Sequence, residues 1–346
     1  MNSELKEYGL RPSDADPCVH YKGKGKDLLL VLIYVDDMLI LSRELEKIGS
    51  FKAYLAKIFD VKDLGNVKCC LGIEFLRSDG KVSLRQTGYI DDVLSRFNMS
   101  DCKPVASPMD IGLKLVKASP AEADNSVPYR ELIGSLMYLA VGTRPDIAHA
   151  VSKLSQFNEC HGKTHWIAAK RVLRYLKGTR DLGLVYTPDD TSLRGFVDAD
   201  WGSCIDDRKS YTGYSFILGG ASVSWDSKKQ KTVALSSTEA EYMSLTEATK
   251  ETIYLRDFLG ELGFENFANV TLYCDNRSAL DLAVNPVFHS RTKHIDIRHH
   301  FVRTALKDGT IRLKHVFTDD MIADILTKGL SGPKHKLLSE RLGLRP

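Results

Sequence analysis

The sequence predicts an α/β protein, with a mixed β-sheet and flanking helices in its C-terminal half and two smaller units before it. Three consecutive strand-like runs occupy residues 193–225, and strands then alternate with helices toward the C-terminus. Consecutive strands followed by alternation are typical of a sheet that mixes antiparallel and parallel strands. A chain of 346 residues is also long enough for two or three compact units.

Composition excludes several classes of protein. Hydrophobic residues make up 43% of the chain, which is enough to form buried cores. The longest apolar run, Leu28–Tyr34, has only the length of a strand, so no membrane span is expected. Seven cysteines without a CxxC pair favour a reduced protein over a disulfide framework or a zinc ribbon. Because the N-terminal MNSELKEYG lacks an apolar signal region, secretion is not expected either.

The first hundred residues predict short strands and two helices. Residues 28–41 are apolar and β-branched on both sides of Asp36 and Asp37. This pattern predicts two buried strands joined by a tight acidic turn. The other elements predicted here are helices at residues 44–59 and 87–97 and strands at 71–75 and 81–84.

A linker and a helical region follow. Three prolines and little periodicity between Lys103 and Asn125 predict an irregular connection. Residues 128–178 then have helical periodicity, and the helix at 165–178 is basic on one side. This basic surface consists of Lys170, Arg171, Arg174 and Lys177. It could contact the phosphates of a nucleic acid or be merely solvated, and a net charge of only +3 does not decide between the two.

The C-terminal half predicts the mixed sheet. The long helix Thr238–Leu262 separates its third strand from its fourth, and a terminal helix follows the fifth. The predicted strands are Leu193–Val197, Tyr211–Leu218, Ser222–Trp225, Val270–Cys274 and Ile311–Phe317.

Four acids stand at informative places in this half. Asp198 ends the first strand, Glu241 opens the long helix, Asp275 follows the fourth strand and Asp324 lies in the predicted terminal helix. Acids at the carboxyl ends of neighbouring strands and on flanking helices would converge at one sheet edge. Convergent carboxylates need a cation to remain ionised together, and hard divalent ions such as Mg²⁺ suit carboxylate ligands. Two such ions can activate a water molecule against a phosphodiester, so the pattern predicts a nuclease.

Helical spacing favours Glu241 over Glu239 as the inward-facing acid. Glu241 heads a stripe that contains Leu245, Ala248 and Leu255, whereas Glu239 points roughly 200° away around the helix. Glu239 could instead form a capping box with Ser236. A rival register, with Thr238 and Glu241 as the capping pair, would weaken the choice.

Several sequence motifs resemble those of one known family. FVDADW, STEAEY, YCDN, HIDIRHHFVR and ADILTK are similar to the ribonuclease H domain of a copia-type LTR retrotransposon Pol polyprotein. The upstream motifs are similar to the end of the same polyprotein's reverse transcriptase. These motifs are YVDDMLIL, KDLGNV with CCLGIEF, YRELIGSLMYLAVGTRPDIAHAVSKLSQF and HWIAAKRVLRYLKGT. The similarity covers nearly the whole chain.

The resemblance implies both a fold and a domain order. The fold is a ribonuclease H-like mixed five-stranded sheet with flanking helices, preceded by a partial reverse-transcriptase palm and a helical thumb or connection region. We expect the palm at residues 1–104, the linker and helical region at 105–188, and the ribonuclease H-like domain at 189–346.

The resemblance also implies a site and an activity. The activity is cleavage of the RNA strand of an RNA–DNA hybrid, with two Mg²⁺ ions that Mn²⁺ can replace. The implied metal ligands and catalytic residues are Asp198, Glu241, Asp275 and Asp324, and Asn276 is a further candidate for binding the nucleic acid. Asp319 and Asp320 are close enough to Asp324 to serve instead, but we expect both at the N-cap of the final helix.

Asp36 and Asp37 resemble one metal-binding half of a polymerase palm. In the family, nucleotidyl transfer also needs an aspartate on an earlier strand. The 35 residues before Asp36 offer aspartates only in a proline-containing loop and directly before the same strand. We therefore expect a truncated reverse transcriptase without polymerase activity of its own.

Two hypotheses of function follow. The first is an endonuclease that acts on RNA–DNA hybrids. The presence of all four acids in the sequence favours it. The second is a non-catalytic retroelement remnant that binds nucleic acid or a partner, such as the rest of a Pol polyprotein. In either case we expect a cytoplasmic location, in a virus-like particle if the element is active, or a nuclear one.

Overall fold

A computed structural model describes residues 2–188, 191–267, 269–284 and 296–346. In these residues the chain forms three β-sheets surrounded by helices. The helices are α1 (Asn2–Glu7), α2 (Leu45–Leu55), α3 (Thr87–Arg96), α4 (Tyr129–Gly142), α5 (Ala148–Ser155), α6 (Lys163–Gly178), α7 (Ser237–Glu261), α8 (Arg277–Val284), α9 (Asp296–Lys307) and α10 (Gly332–Arg341). None of the described helices combines the length and the hydrophobicity needed to cross a membrane.

The N-terminal sheet is antiparallel and contains the predicted acidic hairpin. Its strands, in spatial order, are β1 (Arg11–Pro12), β2 (Val19–Lys22), β3 (Leu29–Tyr34) and β4 (Asp37–Ser42). Helices α1 and α2 pack on it through a small apolar core that includes Leu5, Val31 and Phe51. The residues that join β3 to β4 are Val35 and Asp36, as the sequence pattern predicts.

The second sheet joins distant parts of the chain. Its strands, in spatial order, are β14 (Leu344–Arg345), β8 (Gly183–Tyr186), β7 (Lys81–Arg85), β6 (Ile73–Ser78) and β5 (Cys69–Cys70). All its neighbouring strands are antiparallel. The final residues of the chain therefore form sheet hydrogen bonds with a strand that precedes residue 189.

The third sheet is the mixed five-stranded sheet that the sequence predicts. Its strands, in spatial order, are β11 (Ala221–Lys229), β10 (Tyr211–Leu218), β9 (Arg194–Ala199), β12 (Val270–Cys274) and β13 (Ile311–His315). The first three are antiparallel neighbours, whereas β12 runs parallel to both β9 and β13. Helices α7, α8 and α9 cover one face, around a core that includes Val197, Phe216 and Leu272.

The largest hydrophobic core lies between this sheet and the helical region. Helices α3 to α6 supply most of it, and residues 321–342 pack into the same core through Ile322, Ile325, Leu326 and Leu338. The packing thus crosses the boundary expected at residue 188, and the three-domain division remains a prediction. The segment that carries Asp324 is held by helices from an earlier part of the chain.

The sequence prediction is wrong about the terminal helix. Asp324 lies in a 3₁₀ segment, Ile322–Leu326, and α10 begins only at Gly332. Every residue from 321 to 327 is buried, so the segment lacks the polar face of an amphipathic helix. Asp319 and Asp320 are also not N-caps of α10, because they lie in an exposed 3₁₀ turn and Ser331 precedes the helix.

A fully buried ion pair connects the helical region to the C-terminal segment. The guanidinium of Arg144 donates to both carboxylate oxygens of Asp146, at 2.9 and 2.7 Å, and neither side chain is exposed. Arg144 also donates to the backbone oxygen of Thr179 at 3.0 Å, and the Tyr175 hydroxyl donates to Asp146 at 2.6 Å. The imidazole of His335 on α10 lies 3.0 Å from the Asp146 backbone oxygen.

We predict that Arg144→Met strongly destabilises the protein. The substitution leaves the Asp146 carboxylate buried without its cation, which should lower the free energy of unfolding by about 3–5 kcal/mol. The control is Arg180→Met, which removes a surface pair with Asp91 and should change it by about 1 kcal/mol or less. Denaturant unfolding of the full chain measures both, and equal effects of the two substitutions would contradict the role given to the buried pair.

Candidate metal centre

Two of the acids are placed by the parallel pairing of β9 with β12. Val197 of β9 pairs with Cys274 of β12, so the next residues along the two strands are Asp198 and Asp275. Because the strands are parallel, both acids lie at the same edge of the sheet. Asp198 is 1% exposed, whereas Asp275 is half-buried. Strand topology alone therefore brings together two carboxylates that are far apart in the sequence.

The start of α7 directs the third acid toward this edge. The Ser236 side chain caps the helix by accepting a hydrogen bond from the backbone amide of Glu239 at 3.1 Å. The Glu239 carboxylate in turn accepts from the backbone amide of Leu235 at 2.8 Å, so Glu239 belongs to the cap. Glu241 is buried on the face that also buries Leu245 and Ala248. The cap excludes the rival register in which Thr238 starts the helix.

The fourth acid comes from the 3₁₀ segment. Asp324 is 1% exposed, and the ammonium group of Lys328 lies between its carboxylate and that of Asp198. Asp319 and Asp320 are exposed, and Asp320 pairs with Arg341 on α10 at 3.0 Å. Of the acids at positions 319, 320 and 324, Asp324 is therefore the one that lies near Asp198.

Glu241 and Asp275 form a tight group with a cysteine. One ligand atom from each of Glu241, Cys274 and Asp275 lies within 4.8 Å of the other two, the one such group of three found among the described residues. The Cys274 thiol lies 3.9 Å from a Glu241 oxygen. Sequence reasoning missed Cys274, because its position on a buried strand is also typical of an inert core cysteine.

Burial and like charge raise the proton affinity of the clustered acids. Burial raises the pKa of Asp198 to about 6; the Lys328 charge opposes this shift, and the Asp324 charge adds to it. Burial raises the pKa of Glu241 well above its usual value, and the charges of Asp198 and Asp275 raise it further. Burial therefore makes the ionised carboxylates costly, and a bound cation would favour their charged form.

Hydroxyl groups fix two of the carboxylates. The Thr327 hydroxyl donates to Asp198, and the Thr318 hydroxyl donates to Asp275 at 2.8 Å. The His315 ring, half-buried at the end of β13, lies 3.2 Å from the Asp275 backbone oxygen. Thr318 begins the 3₁₀ turn that follows β13 and Thr327 ends the 3₁₀ segment after it, and no sequence pattern identified either.

The donor set fits a hard divalent cation. The clustered ligands are mainly carboxylate oxygens, which Mg²⁺ and Mn²⁺ prefer, and burial together with neighbouring negative charge raises the pKa of two of them. Asp198, Glu241 and Asp275 are the residues that would hold such ions, with Asp324 beside Asp198. An ion there would supply the positive charge that this edge lacks.

The second predicted acidic site is less complete. Asp36 and Asp37 are exposed at the β3–β4 turn, and no metal-binding group of three ligands within the described ranges includes them. Val35 has a φ of 53°, a conformation that β-branched residues rarely adopt. The turn therefore exposes two neighbouring acids, and no third ligand joins them in the part of the chain that the structure describes.

The basic surface of α6 is partly engaged within the protein. Arg171 forms an ion pair with Asp110 at 2.8 Å, and Arg174 donates to the Lys103 backbone oxygen at 2.8 Å. Lys170 lies over the Trp166 ring, and Lys177 is half-buried. The two arginines thus attach the linker to α6, whereas the lysines are better placed for a ligand. Asn276 caps α8 by accepting from the Ala279 amide at 3.0 Å.

Comparison with known proteins identifies the family. The chain is 45% identical over 353 aligned residues to the Retrovirus-related Pol polyprotein from transposon TNT 1-94 of Nicotiana tabacum, covering 99% of this chain and 26% of that protein. The chain belongs to the Pol polyprotein family of copia-type retrotransposons. The corresponding protein of transposon RE2 of Arabidopsis thaliana is 40% identical and covers 99% of this chain. The chain spans about a quarter of the length of these Pol relatives.

A family model matches the N-terminal third of the chain, and a solved structure has a similar fold. Residues 1–111 match the family described as Reverse transcriptase (RNA-dependent DNA polymerase). A foamy viral protease-reverse transcriptase dRH in complex with double-stranded DNA has a TM-score of 0.50 at 13% identity, covering 83% of this chain and 46% of that chain. The predicted fold class is confirmed: the chain is α/β, with a mixed five-stranded sheet and flanking helices together with two antiparallel sheets and a helical region, and its fold is similar to that of a solved reverse transcriptase.

His149 on α5 supports the segment that carries Asp324. Its buried ring packs edge-on against Tyr211, with centroids 5.1 Å apart. Burial lowers the pKa of His149 to about 3, and the Lys153 charge lowers it further, while a hydrogen bond to the Leu326 backbone opposes both. The native protein therefore keeps this imidazole neutral.

We predict that His149→Gln weakens the loss of stability in acid. The unfolded chain binds a proton at His149 below about pH 6.5, but the native protein does so only near pH 3. Stability is thus lost as the pH falls through this window, by about 2–3 kcal/mol at pH 4.5 from His149 alone. Thermal unfolding from pH 7 to 4.5 should show a shallower decline for His149→Gln. His300→Gln, at an exposed helix position, is the control, and parallel profiles for all three proteins would contradict the prediction.

Proposed function

We propose that this chain carries a retrotransposon-derived ribonuclease H that hydrolyses the RNA strand of RNA–DNA hybrids. The observation that supports the proposal most directly is the placement of four acids from four separate elements along one sheet edge, with Glu241 beside Asp275 and Lys328 bridging Asp198 and Asp324. They come from the end of β9, the first turns of α7, the residue after β12 and the 3₁₀ segment. A fold gains no stability from burying like charges together, so such a cluster indicates a functional site.

The residues of the site have separate tasks in this proposal. Asp198, Glu241 and Asp275 hold the metal ions, and Asp324 extends the acidic edge. Bound Mg²⁺, or Mn²⁺ in its place, supplies positive charge and lowers the pKa of the attacking water. Thr318 and Thr327 orient carboxylates through the hydrogen bonds that they donate. Because water attacks phosphorus and the 3′-oxygen leaves, the products are a 3′-hydroxyl and a 5′-phosphate.

Exposed aromatic side chains beside the acids support a nucleic-acid substrate. Trp201, three residues after Asp198, is 58% exposed, and its indole donates to the Ala234 backbone oxygen at 3.1 Å. Phe317, next to Thr318, is 69% exposed. Fixed, exposed aromatic rings suit stacking on bases or sugars. An A-form hybrid is recognised by its shape and its 2′-hydroxyl groups rather than by its sequence.

We further propose that the chain does not extend primers. Among the described residues, no third acid joins Asp36 and Asp37 in a group that could hold a metal ion. Incubation with labelled hybrid, duplex DNA and primed template with nucleotides, each with and without Mg²⁺, tests both proposals. We expect only the RNA of the hybrid to be cut, in the presence of Mg²⁺. Primer extension would contradict the proposal that the chain does not extend primers.

We predict that Asp198→Asn and Asp275→Asn each abolish cleavage. Each substitution removes a carboxylate that holds metal, and a loss of several kcal/mol in transition-state stabilisation corresponds to roughly 1000-fold in rate. Binding to hybrid should remain. Asp320→Asn is the matched control, since it removes an exposed acid four residues from Asp324.

The loss of cleavage is measured from the rate of hybrid hydrolysis, and the retained binding is measured by fluorescence anisotropy with labelled hybrid. Cleavage that persists in both site variants would show that the assigned site is wrong. A wild-type chain that binds hybrid without cutting it would instead support the non-catalytic remnant.

We predict that Lys170→Gln combined with Lys177→Gln weakens hybrid binding. Each lysine that contacts a phosphate releases a counterion, so the slope of log affinity against log salt should fall by about two for the pair. Lys57→Gln, an exposed lysine on the N-terminal unit, is the control and should change neither affinity nor slope. An unchanged salt slope in the double variant would mean that the basic surface is merely solvated.

A further inference from the structure

We propose that Lys328 is the built-in counter-ion of Asp198 and Asp324, and that its ammonium group competes with a divalent ion for this end of the site. The inference rests on the proposed metal-dependent function. It concerns a residue that motif reasoning left without a role, although Lys328 ends the ADILTK motif. Lys328 makes the two ends of the acidic edge different: Asp198 and Asp324 already have a cation beside them, whereas Glu241 and Asp275 form no ion pair with a lysine or arginine of the described residues.

Lys328 bridges the two most deeply buried acids of the site. Its ammonium nitrogen lies 3.1 Å from Oδ2 and 3.2 Å from Oδ1 of Asp198, and 2.7 Å from Oδ1 of Asp324. Both carboxylates are 1% exposed, whereas the lysine side chain is 37% exposed. The lysine therefore reaches the buried pair from the solvent side and can leave without disturbing the core.

The local backbone brings Lys328 back over Asp324. The amides of Thr327 and Lys328 both donate to the Asp324 backbone oxygen, at 3.2 and 3.0 Å. This turn closes the 3₁₀ segment and places the lysine four residues after the acid on the same side. The Thr327 hydroxyl at the same turn donates to Asp198. One short segment thus supplies an acid of the site, the cation beside it and a hydrogen bond to a second acid.

The two ends of the site differ in charge balance. Lys334 on α10 lies 2.7 Å from the second oxygen of Asp324, so Asp198 and Asp324 together face two lysines. Across the described residues, no lysine or arginine forms an ion pair with Glu241 or Asp275. A divalent ion that binds at the Glu241–Asp275 end therefore displaces no ion-paired lysine or arginine of the described residues.

Competition at the other end follows from shared ligand atoms. A metal ion on Asp198 or Asp324 needs the carboxylate oxygens that now accept hydrogen bonds from Lys328. An ammonium group and a divalent ion cannot approach the same buried oxygens together, because like charges repel strongly at such distances. Lys328 must therefore withdraw before a second ion can bind between Asp198 and Asp324.

The test is Mg²⁺ binding to the full chain, measured by isothermal titration calorimetry without substrate. Lys328→Met should raise the affinity of the weaker Mg²⁺ site by about tenfold, within the usual range for two coupled binding events. Lys328→Gln, which keeps a hydrogen-bond donor without the charge, should do the same. Lys328→Arg, which keeps the charge, should stay near the wild type. Lys336→Met, an exposed position on α10, controls for the net charge.

Thermal unfolding gives a second readout that does not depend on activity. Without metal, Lys328→Met leaves two buried acids with less positive charge, so its Tm should fall by several degrees below that of Lys336→Met. Saturating Mg²⁺ should close most of this gap, because the ion replaces the lost cation.

The outcomes separate the inference from the proposed function. Wild-type affinity in Lys328→Met and Lys328→Gln, together with an equal rise in Tm on adding Mg²⁺, would overturn the role of Lys328 and leave the nuclease proposal intact. If neither the wild type nor Lys328→Met binds Mg²⁺, both fail. A Tm gap that persists at saturating Mg²⁺ would mean that Lys328 has a structural role only.

Discussion

Electrostatic repulsion among buried carboxylates is the constraint on which the candidate site depends. Asp198, Glu241 and Asp324 are all nearly inaccessible to solvent, and Asp275 is half-buried beside them. Burial in a medium of low polarity makes their mutual repulsion costly. Lysines offset part of the charge around Asp324, and the rest is offset by protons or by a bound cation. This repulsion is concentrated at the sheet edge where β9, β12, α7 and the 3₁₀ segment meet.

The site also depends on residues outside the mixed sheet. The segment that presents Asp324 and Lys328 packs into the core formed by α3 to α6, and His335 ties α10 to the buried Arg144–Asp146 pair. The final strand of the chain completes a sheet begun by residues 69–85. The helical region therefore acts as part of the scaffold of the site, and stability and site geometry are linked through it.

Local patterns were sufficient for much of the fold. Alternating and continuous apolar runs located the five strands of the mixed sheet, and β10 and β12 have the predicted bounds. Helical periodicity also selected Glu241, because its position relative to Leu245 is fixed once α7 forms. The pairing of β14 with β8 could not be predicted from local patterns, because it joins residues some 160 positions apart. Lys328 and Cys274 were missed for a related reason: their contacts with Asp198 and with Glu241 join distant parts of the chain, although each also lies close in sequence to an acid of the site.

Anomalous diffraction from crystals of the full chain grown with Mn²⁺ tests the metal centre most directly. We expect an anomalous peak at a coordination distance of about 2.1–2.4 Å from the carboxylates of Asp198, Glu241 and Asp275. Manganese bound elsewhere, for example only at Asp36 and Asp37, with the acids of the mixed sheet unliganded, would contradict it.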